Sequence, residues 1–307
     1  MQAMTLRHYG GPDVFQQEDL PTPVAQAGEV LVAVRAVAIN PVDYKWRQHG
    51  PFTTFPVILG WDVAGVVEAL GPDVTDFQVG DAVYGMVRFP QEGRAYAEYV
   101  AAPAADLALK PPRLSFEEAA ATTLAALTAE QVFEAADLQA GQRVLIHAGA
   151  GGVGHFAVQL AKARGATVLA TGSLANRAFI LELGADQFID YRAQPFEQQV
   201  SGVDVVFDTV GGDTQARSFQ VLRPGGRLVT IVGTPSAALA EQYGVTAQRL
   251  LVHPSRAQLE RFNQLIADGA LRPHVSQVFP LDRVADAHRA QETGRTVGKL
   301  VLHVTGP

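Results

Sequence analysis

The chain has no cysteine among its 307 residues. That excludes disulfides, a cysteine nucleophile and any thiolate metal ligand, while leaving the compartment open. Basic residues are also in short supply: 24 Lys and Arg against 31 Asp and Glu give a net charge of −7. With no Lys/Arg cluster, nucleic acid and anionic membrane surfaces are not expected partners. No uninterrupted apolar run approaches the ~18 residues of a membrane span. The stretch from Met1 to Tyr9 lacks the apolar core of a secretion signal, so the expectation is a cytoplasmic protein. What is present is a globular composition, 48% hydrophobic and 18% charged, in a chain long enough for two domains.

Glycine is plentiful, and its most informative run is Gly149-Ala150-Gly151-Gly152-Val153-Gly154. It follows an apolar segment, Val144-Leu-Ile-His147, that reads as a buried strand. It leads into a segment in which Val153, Ala157, Leu160 and Ala161 recur at helical spacing. In such a strand-turn-helix unit Gly149 permits a tight turn, Gly151 lets backbone approach a pyrophosphate, and Gly154 lets the helix pack closely on the strand. The helix start then offers free N–H groups and the positive end of its dipole. This order of strand, glycines and helix predicts a dinucleotide site.

A second strand, Thr167–Thr171, follows at βαβ spacing, and the carboxylate that would hold an adenine ribose hydroxyl should come soon after it. None does: between Asp137 and Glu182 there is no acidic residue. Without a carboxylate a 2′-phosphate meets no repulsion, and Ser173 and Arg177 are placed to bond to it, which predicts NADP rather than NAD. The plain alternative for Arg177 is a solvated helix residue.

The first hundred or so residues are made of short β-rich segments, such as Glu29–Ala38, Val63–Leu70 and Ala95–Val100, separated by Gly/Pro turns. That pattern predicts a small antiparallel barrel or sandwich. A helix is expected from Phe116 to about Ala136. Strands and helices then alternate, with strands at Val144–His147, Thr167–Thr171, Gln187–Ile189, Val203–Asp208 and Arg227–Val232, which implies a parallel sheet covered on both faces. The tail from Ser255 reads helix, strand, helix and a last strand, Lys299–His303.

At this level of detail the chain resembles the medium-chain dehydrogenase/reductase superfamily, and within it the zinc-independent quinone oxidoreductase (zeta-crystallin-like) family. The resemblance is carried by Tyr9–Pro12, Ala38–Lys45, Leu59–Val66, Val79–Gly85, Ala97–Val100, Leu127–Ala129, the Gly149–Gly154 loop, Asp208–Gly212, Leu222–Arg227 and Gly298–Lys299. It implies an α/β protein with a GroES-like β-rich catalytic domain over residues 1–115, a doubly wound Rossmann NADP-binding domain over 116–254, and a return to the catalytic domain over 255–307. It also implies a homodimer, with a strand near Arg249–His253 extending the Rossmann sheet across the pair.

Zinc-bearing members of the superfamily hold their metal with a thiolate and a histidine. Asn40 and Trp61 stand at those positions here, and the eight histidines include no His-x₃₋₅-His pair, so no metal is expected. Without a Lewis acid, hydride delivery to an activated acceptor, a quinone or an α,β-unsaturated ketone, is the feasible chemistry. The protein then has to supply position and a hydrogen-bond donor for the carbonyl oxygen. The catalytic candidates are Asn40, Tyr44 and Lys45. Lysine at position 45, where many quinone reductases of the family carry tyrosine, tilts the acceptor toward enones. Lys45 is also readable as a surface lysine, and Asp43 as a structural carboxylate orienting Asn40 or Lys45.

The resemblance further assigns Asn40, Thr128, Tyr191, Val210, Gly211, Val232, Gly233 and Lys299 to NADP(H), with packing left open for Tyr191 and a surface salt bridge for Lys299. A non-catalytic NADPH-binding protein, crystallin-like or regulatory, is the other reading of the same chain.

Overall fold

The computed structural model describes residues 1–305. The chain begins with β1 (Gln2–Leu6), β2 (Phe15–Asp19) and β3 (Glu29–Ile39), followed by helix α1 (Pro41–His49) and strands β4 (Val57–Ile58), β5 (Asp62–Leu70), β6 (Ala82–Met86), β7 (Tyr99–Pro103) and β8 (Leu107–Leu109). Helix α2 (Phe116–Ala135) leads into the alternating segment β9 (Arg143–Ile146), α3 (Gly154–Ala163), β10 (Thr167–Gly172), α4 (Arg177–Glu182), β11 (Gln187–Asp190), β12 (Val203–Asp208), α5 (Gly212–Ser218), β13 (Leu222–Thr230), α6 (Ala237–Tyr243) and β14 (Thr246–Arg249). The tail holds α7 (Arg256–Ala267), β15 (Val275–Pro280), α8 (Val284–Glu292) and β16 (Lys299–His303).

These elements form two compact units, one of residues 1–127 with 253–307 and one of residues 128–252. The first boundary falls inside α2, later than the expected start of the Rossmann domain at residue 116. The reason is local: Thr123 and the Leu124 N–H both bond to Asp62 on β5, so the first half of α2 is held by the β-rich unit.

The β-rich unit contains a three-stranded sheet, β2-β1-β4, and a larger sheet ordered β15-β16-β3-β5-β6-β8, with β7 also on β3. Its strands pair antiparallel except β15 with β16, which are parallel, a departure from the antiparallel architecture expected. β3 is buried along nearly its whole length because it pairs with β5, β7 and β16.

The second unit is a six-stranded, wholly parallel sheet in the order β11-β10-β9-β12-β13-β14. Its inner strands read as apolar runs, since parallel strands are buried on both faces. Leu145, Leu169, Val206 and Leu228 from the four inner strands and Ile189 from the edge strand β11 pack with Phe219 and Val221 in one core. The strand order reverses between β9 and β12, and open α/β sheets bind ligands beyond the carboxyl ends at such a switch point. The last strand is Thr246–Arg249, not Arg249–His253. β13 ends at Thr230, whose carbonyl accepts the Leu250 N–H, and no ladder remains for the residues beyond.

Candidate functional site

At the head of β9 the backbone turns sharply. Ala148 adopts a left-handed conformation at φ 51°, and the turn is fastened to β10. The Ala148 N–H donates to Thr171 Oγ1 at 3.1 Å and the Gly149 N–H to the Thr171 carbonyl at 2.9 Å. Two glycines answer different demands. A Cβ on Gly154 would sit 2.1 Å from the Ala148 carbonyl oxygen, an overlap with backbone that only glycine avoids. A Cβ on Gly151 would meet the same oxygen at 3.2 Å, a tight contact but far looser than the one at Gly154. Among the described residues the N–H groups of Gly152, Val153 and Gly154 have no acceptor, which leaves a row of donors at the start of α3. Ala150 is buried beneath them. Unsatisfied donors at a helix N-terminus suit a pyrophosphate.

His147 closes the turn from below. Its ring contacts Ser218 Oγ at 2.9 Å and Thr171 Oγ1 at 3.3 Å, and lies edge-on to Phe196. Burial lowers its pKa to about 4, with Asp208 opposing the shift. Burial likewise lowers His288, on α8 in the other unit, to about 3. An unfolded histidine titrates near ~6.5, so between that pH and the folded value the unfolded chain binds a proton the native one refuses. Each buried ring therefore contributes stability present above about pH 6.5 and lost as the pH falls toward 4 or 3. Denaturant melts across this range should show stability falling with pH, and His147→Gln should flatten the slope between about pH 6.5 and 4 by up to a few kcal/mol. An unchanged slope would show that His147 is not held neutral.

The ribose-phosphate corner is set by register. Gly172 pairs with Asp190, so Ser173 and Tyr191 follow adjacent strand ends. Arg177 opens α4, exposed and without a partner among the described residues. Tyr191 is half exposed, which sets aside the reading of it as ordinary packing, and the Arg192 guanidinium stacks on its ring. Arg192 is a second cation that sequence reasoning passed over; its place directly after Tyr191 was the available signal. No carboxylate stands in the Gly172–Arg177 turn.

Beyond β12 and β13, one buried carboxylate organises two loops. Asp208 Oδ1 accepts the N–H groups of Val210 and Gly211 at 3.0 and 2.9 Å. Its Oδ2 accepts from Gln215 and from Thr230, and both of those side chains also bond to the Val232 carbonyl. Val210–Gly211 and Val232–Gly233 are thereby presented together at the carboxyl edge of the sheet. Val210 is half exposed although apolar. Thr128 is buried on α2.

In the β-rich unit the decisive element is α1. Asn40 is its N-cap, Pro41 its first residue, and Asp43 Oδ2 accepts the Asn40 N–H at 2.6 Å. Asp43 is thus the orienting carboxylate that the sequence suggested for Asn40. Burial pushes its pKa up to about 7, and the nearby Asp62 adds to the rise. The helix buries Asp43 and Arg47 and exposes Pro41, Lys45 and His49. Tyr44 is half-buried, and neither it nor Lys45 has a hydrogen-bond partner among the described residues.

The Asn40 side chain, by contrast, is bonded inside at both ends of its amide. Its Nδ2 donates to Asp62 Oδ2 at 2.8 Å and its oxygen accepts from Lys299 Nζ. Lys299 stands 3.6 Å from Asp62 and is only 3% exposed, which overturns its reading as a surface salt bridge. Asn40 and Lys299, assigned separately from sequence, are brought into direct contact, and Asp62 is the functional neighbour that sequence reasoning had seen only as part of a motif. Trp61 is buried with its Nε1–H on the Gln91 carbonyl at 2.6 Å and its ring against Trp46 and Phe89, as a piece of aromatic core.

Two family models match the chain: the alcohol dehydrogenase GroES-like domain over residues 26–112 and the zinc-binding dehydrogenase model over residues 183–302. Neither Asn40 nor Trp61 falls within the second match. Among curated proteins, the tomato (Solanum lycopersicum) 2-methylene-furan-3-one reductase and the Arabidopsis thaliana chloroplastic NADPH-dependent alkenal/one oxidoreductase are each 37% identical over 319 residues, covering 99% of this chain and 79% of theirs. Among solved structures, the quinone oxidoreductase from Coxiella burnetii superposes with a TM-score of 0.94 at 38% identity, covering 99% of both chains.

Proposed function

The chain belongs to the medium-chain dehydrogenase/reductase superfamily, in the zinc-independent quinone oxidoreductase-like family, and on that premise we propose that it is an NADPH-dependent reductase of quinones or α,β-unsaturated carbonyl compounds. The observation that carries this reading is the Gly149–Gly154 turn. It places unpaired N–H groups at a helix start, in a parallel sheet at its switch point, with Arg177 and no carboxylate in the turn after β10 that would meet the adenine ribose; Asp190, across from Gly172, is bonded to the Arg192 N–H.

The residues present fit NADP(H). Gly152, Val153 and Gly154 would offer donors for the pyrophosphate; Ser173, Arg177, Tyr191 and Arg192 would be the groups available to the 2′-phosphate; Val210, Gly211, Val232 and Gly233, at the carboxyl edge, would take the nicotinamide half, with Thr128. When bound, NADPH supplies a hydride. The chain's own part is to hold the acceptor and to stabilise the negative charge that grows on its carbonyl oxygen. Asn40, Tyr44 and Lys45 are the donors for that oxygen, and water supplies the closing proton. Lysine at position 45 favours enones. We further propose a homodimer, supported by β14, an edge strand paired on one side only within the chain, and a cytoplasmic setting, where NADPH is regenerated.

Arg177→Ala should weaken NADPH by roughly 1–3 kcal/mol, the range for hydrogen bonds to charged groups, and leave NADH nearly unchanged. Calorimetric titration of both cofactors checks it. Equal losses for the two would place Arg177 on a part of the cofactor they share.

A further inference from the structure

The Asn40 side-chain amide has one orientation open to it. Its two ends meet groups of opposite hydrogen-bonding character, since the Lys299 ammonium can only donate and the Asp62 carboxylate can only accept. The oxygen therefore faces Lys299 Nζ, and the nitrogen faces Asp62 Oδ2. Asp62 is itself pinned from α2, its Oδ1 accepting the Thr123 hydroxyl and, at 2.8 Å, the Leu124 N–H. All three members are almost wholly buried: Asn40 is 2% exposed, Asp62 0% and Lys299 3%. A carboxamide nitrogen carries two hydrogens, and Asp62 accepts one of them.

We propose that Lys299 and Asp62 are positioning residues that lock the Asn40 amide in this orientation and leave its second Nδ2–H as the donor to the oxygen of the acceptor carbonyl. This rests on the reading of Asn40 as a donor given above and assigns Lys299 a task within it. The ammonium on the amide oxygen draws electron density from the nitrogen and strengthens the remaining N–H as a donor, as chains of hydrogen bonds do in low dielectric. A donor already locked in place has no reorganisation to perform as charge develops. No proton leaves Asn40 or Lys299 in this scheme; the contribution is a hydrogen bond whose strength grows with the charge on oxygen.

Burial lowers the pKa of Lys299 while Asp62 and Asp43 support its charge. Replacing a buried ion pair by neutral groups is often tolerated, whereas removing one partner alone strands a charge. The informative variant is therefore the double change Lys299→Met with Asp62→Asn, which removes both charges and keeps the shape.

The test combines kinetics with the side-chain amide resonances of Asn40 in protein labelled with ¹⁵N-asparagine, assigned by their loss in Asn40→Ser. In the parent protein the two Asn40 amide protons should be widely separated in chemical shift, and the bonded one protected from exchange. In the double variant the separation should collapse and the protection disappear. kcat toward an enone, measured at saturating NADPH, should fall by about ten- to a hundredfold. An unaltered Asn40 signature, or full turnover in a folded double variant, would overturn the proposal. Full turnover in Asn40→Ser would overturn it too. The amide signature is read without cofactor or acceptor, so failure of the reductase assignment, seen as no turnover by the parent protein on any acceptor, is a separate result.

Discussion

Replacing Lys45 by methionine is expected to lower kcat/KM toward an enone by about ten- to a thousandfold, the span that one preorganised donor can contribute. The argument begins with helix α1. Asn40 caps it and turns inward, Tyr44 is half-buried one turn later, and Lys45 lies on the exposed stripe with its ammonium uncommitted among the described residues. An ammonium with no internal partner is free to meet charge that develops on an acceptor oxygen, and it is worth most in the transition state, where that charge is largest. Methionine keeps the stem and deletes the donor. NADPH affinity should be unchanged, because the substitution leaves the Rossmann unit untouched. A quinone, being more easily reduced, should suffer a smaller loss than an enone, and a larger loss with enones would mark enone reduction as the native task. Equal turnover of variant and parent on both acceptor types would return Lys45 to the surface and leave Asn40 and Tyr44 as the donors.

Gly151→Val should weaken NADPH by about a hundredfold or more, the cost of losing two or so charge-assisted hydrogen bonds to the pyrophosphate. The fold should survive, because a Cβ at position 151 meets only Ala148, its carbonyl oxygen at 3.2 Å and its Cβ at 4.0 Å. Gly154→Ala is the contrasting case: its Cβ would overlap that same oxygen at 2.1 Å, so the damage there should appear in the thermal melt. Calorimetric titration and a melt on both variants separate the two roles. Near-parental affinity in folded Gly151→Val would remove the pyrophosphate from this loop.

The Rossmann unit was legible in the sequence because its signals are local. Apolar runs of strand length, glycines at fixed offsets and a helical period all lie within about thirty residues of one another, and each strand from β9 to β12 falls close to where the pattern puts it, while β13 begins at Leu222, ahead of the expected Arg227. The β-rich unit was less so, since its large sheet joins strands far apart in the chain. β16 pairs with β3 across more than 250 residues, and the parallel pairing of β15 with β16 carries no sequence mark.

The site divides along the same line. Asn40, Asp43 and the glycine turn follow from caps and turns that neighbouring residues specify. The meeting of Lys299 and Asp62 on Asn40 depends on tertiary folding alone, and a lysine at the start of the last strand, ahead of Leu300-Val301-Leu302, was the hint of it. Arg192 carried no signal of its own, since an exposed arginine after a tyrosine looks like any solvated surface until the register of Gly172 with Asp190 brings the ends of β10 and β11 side by side.

The central claim is tested most directly by mixing the protein with NADPH carrying deuterium at the transferable position and a panel of quinones and enones, then following cofactor absorbance and product mass. The account predicts that NADPH is consumed only when acceptor is present, in a one-to-one ratio with reduced product. With an enone it also predicts deuterium at the β-carbon. Tight NADPH binding with no consumption on any acceptor of either class would contradict it and leave a cofactor-binding protein without this chemistry.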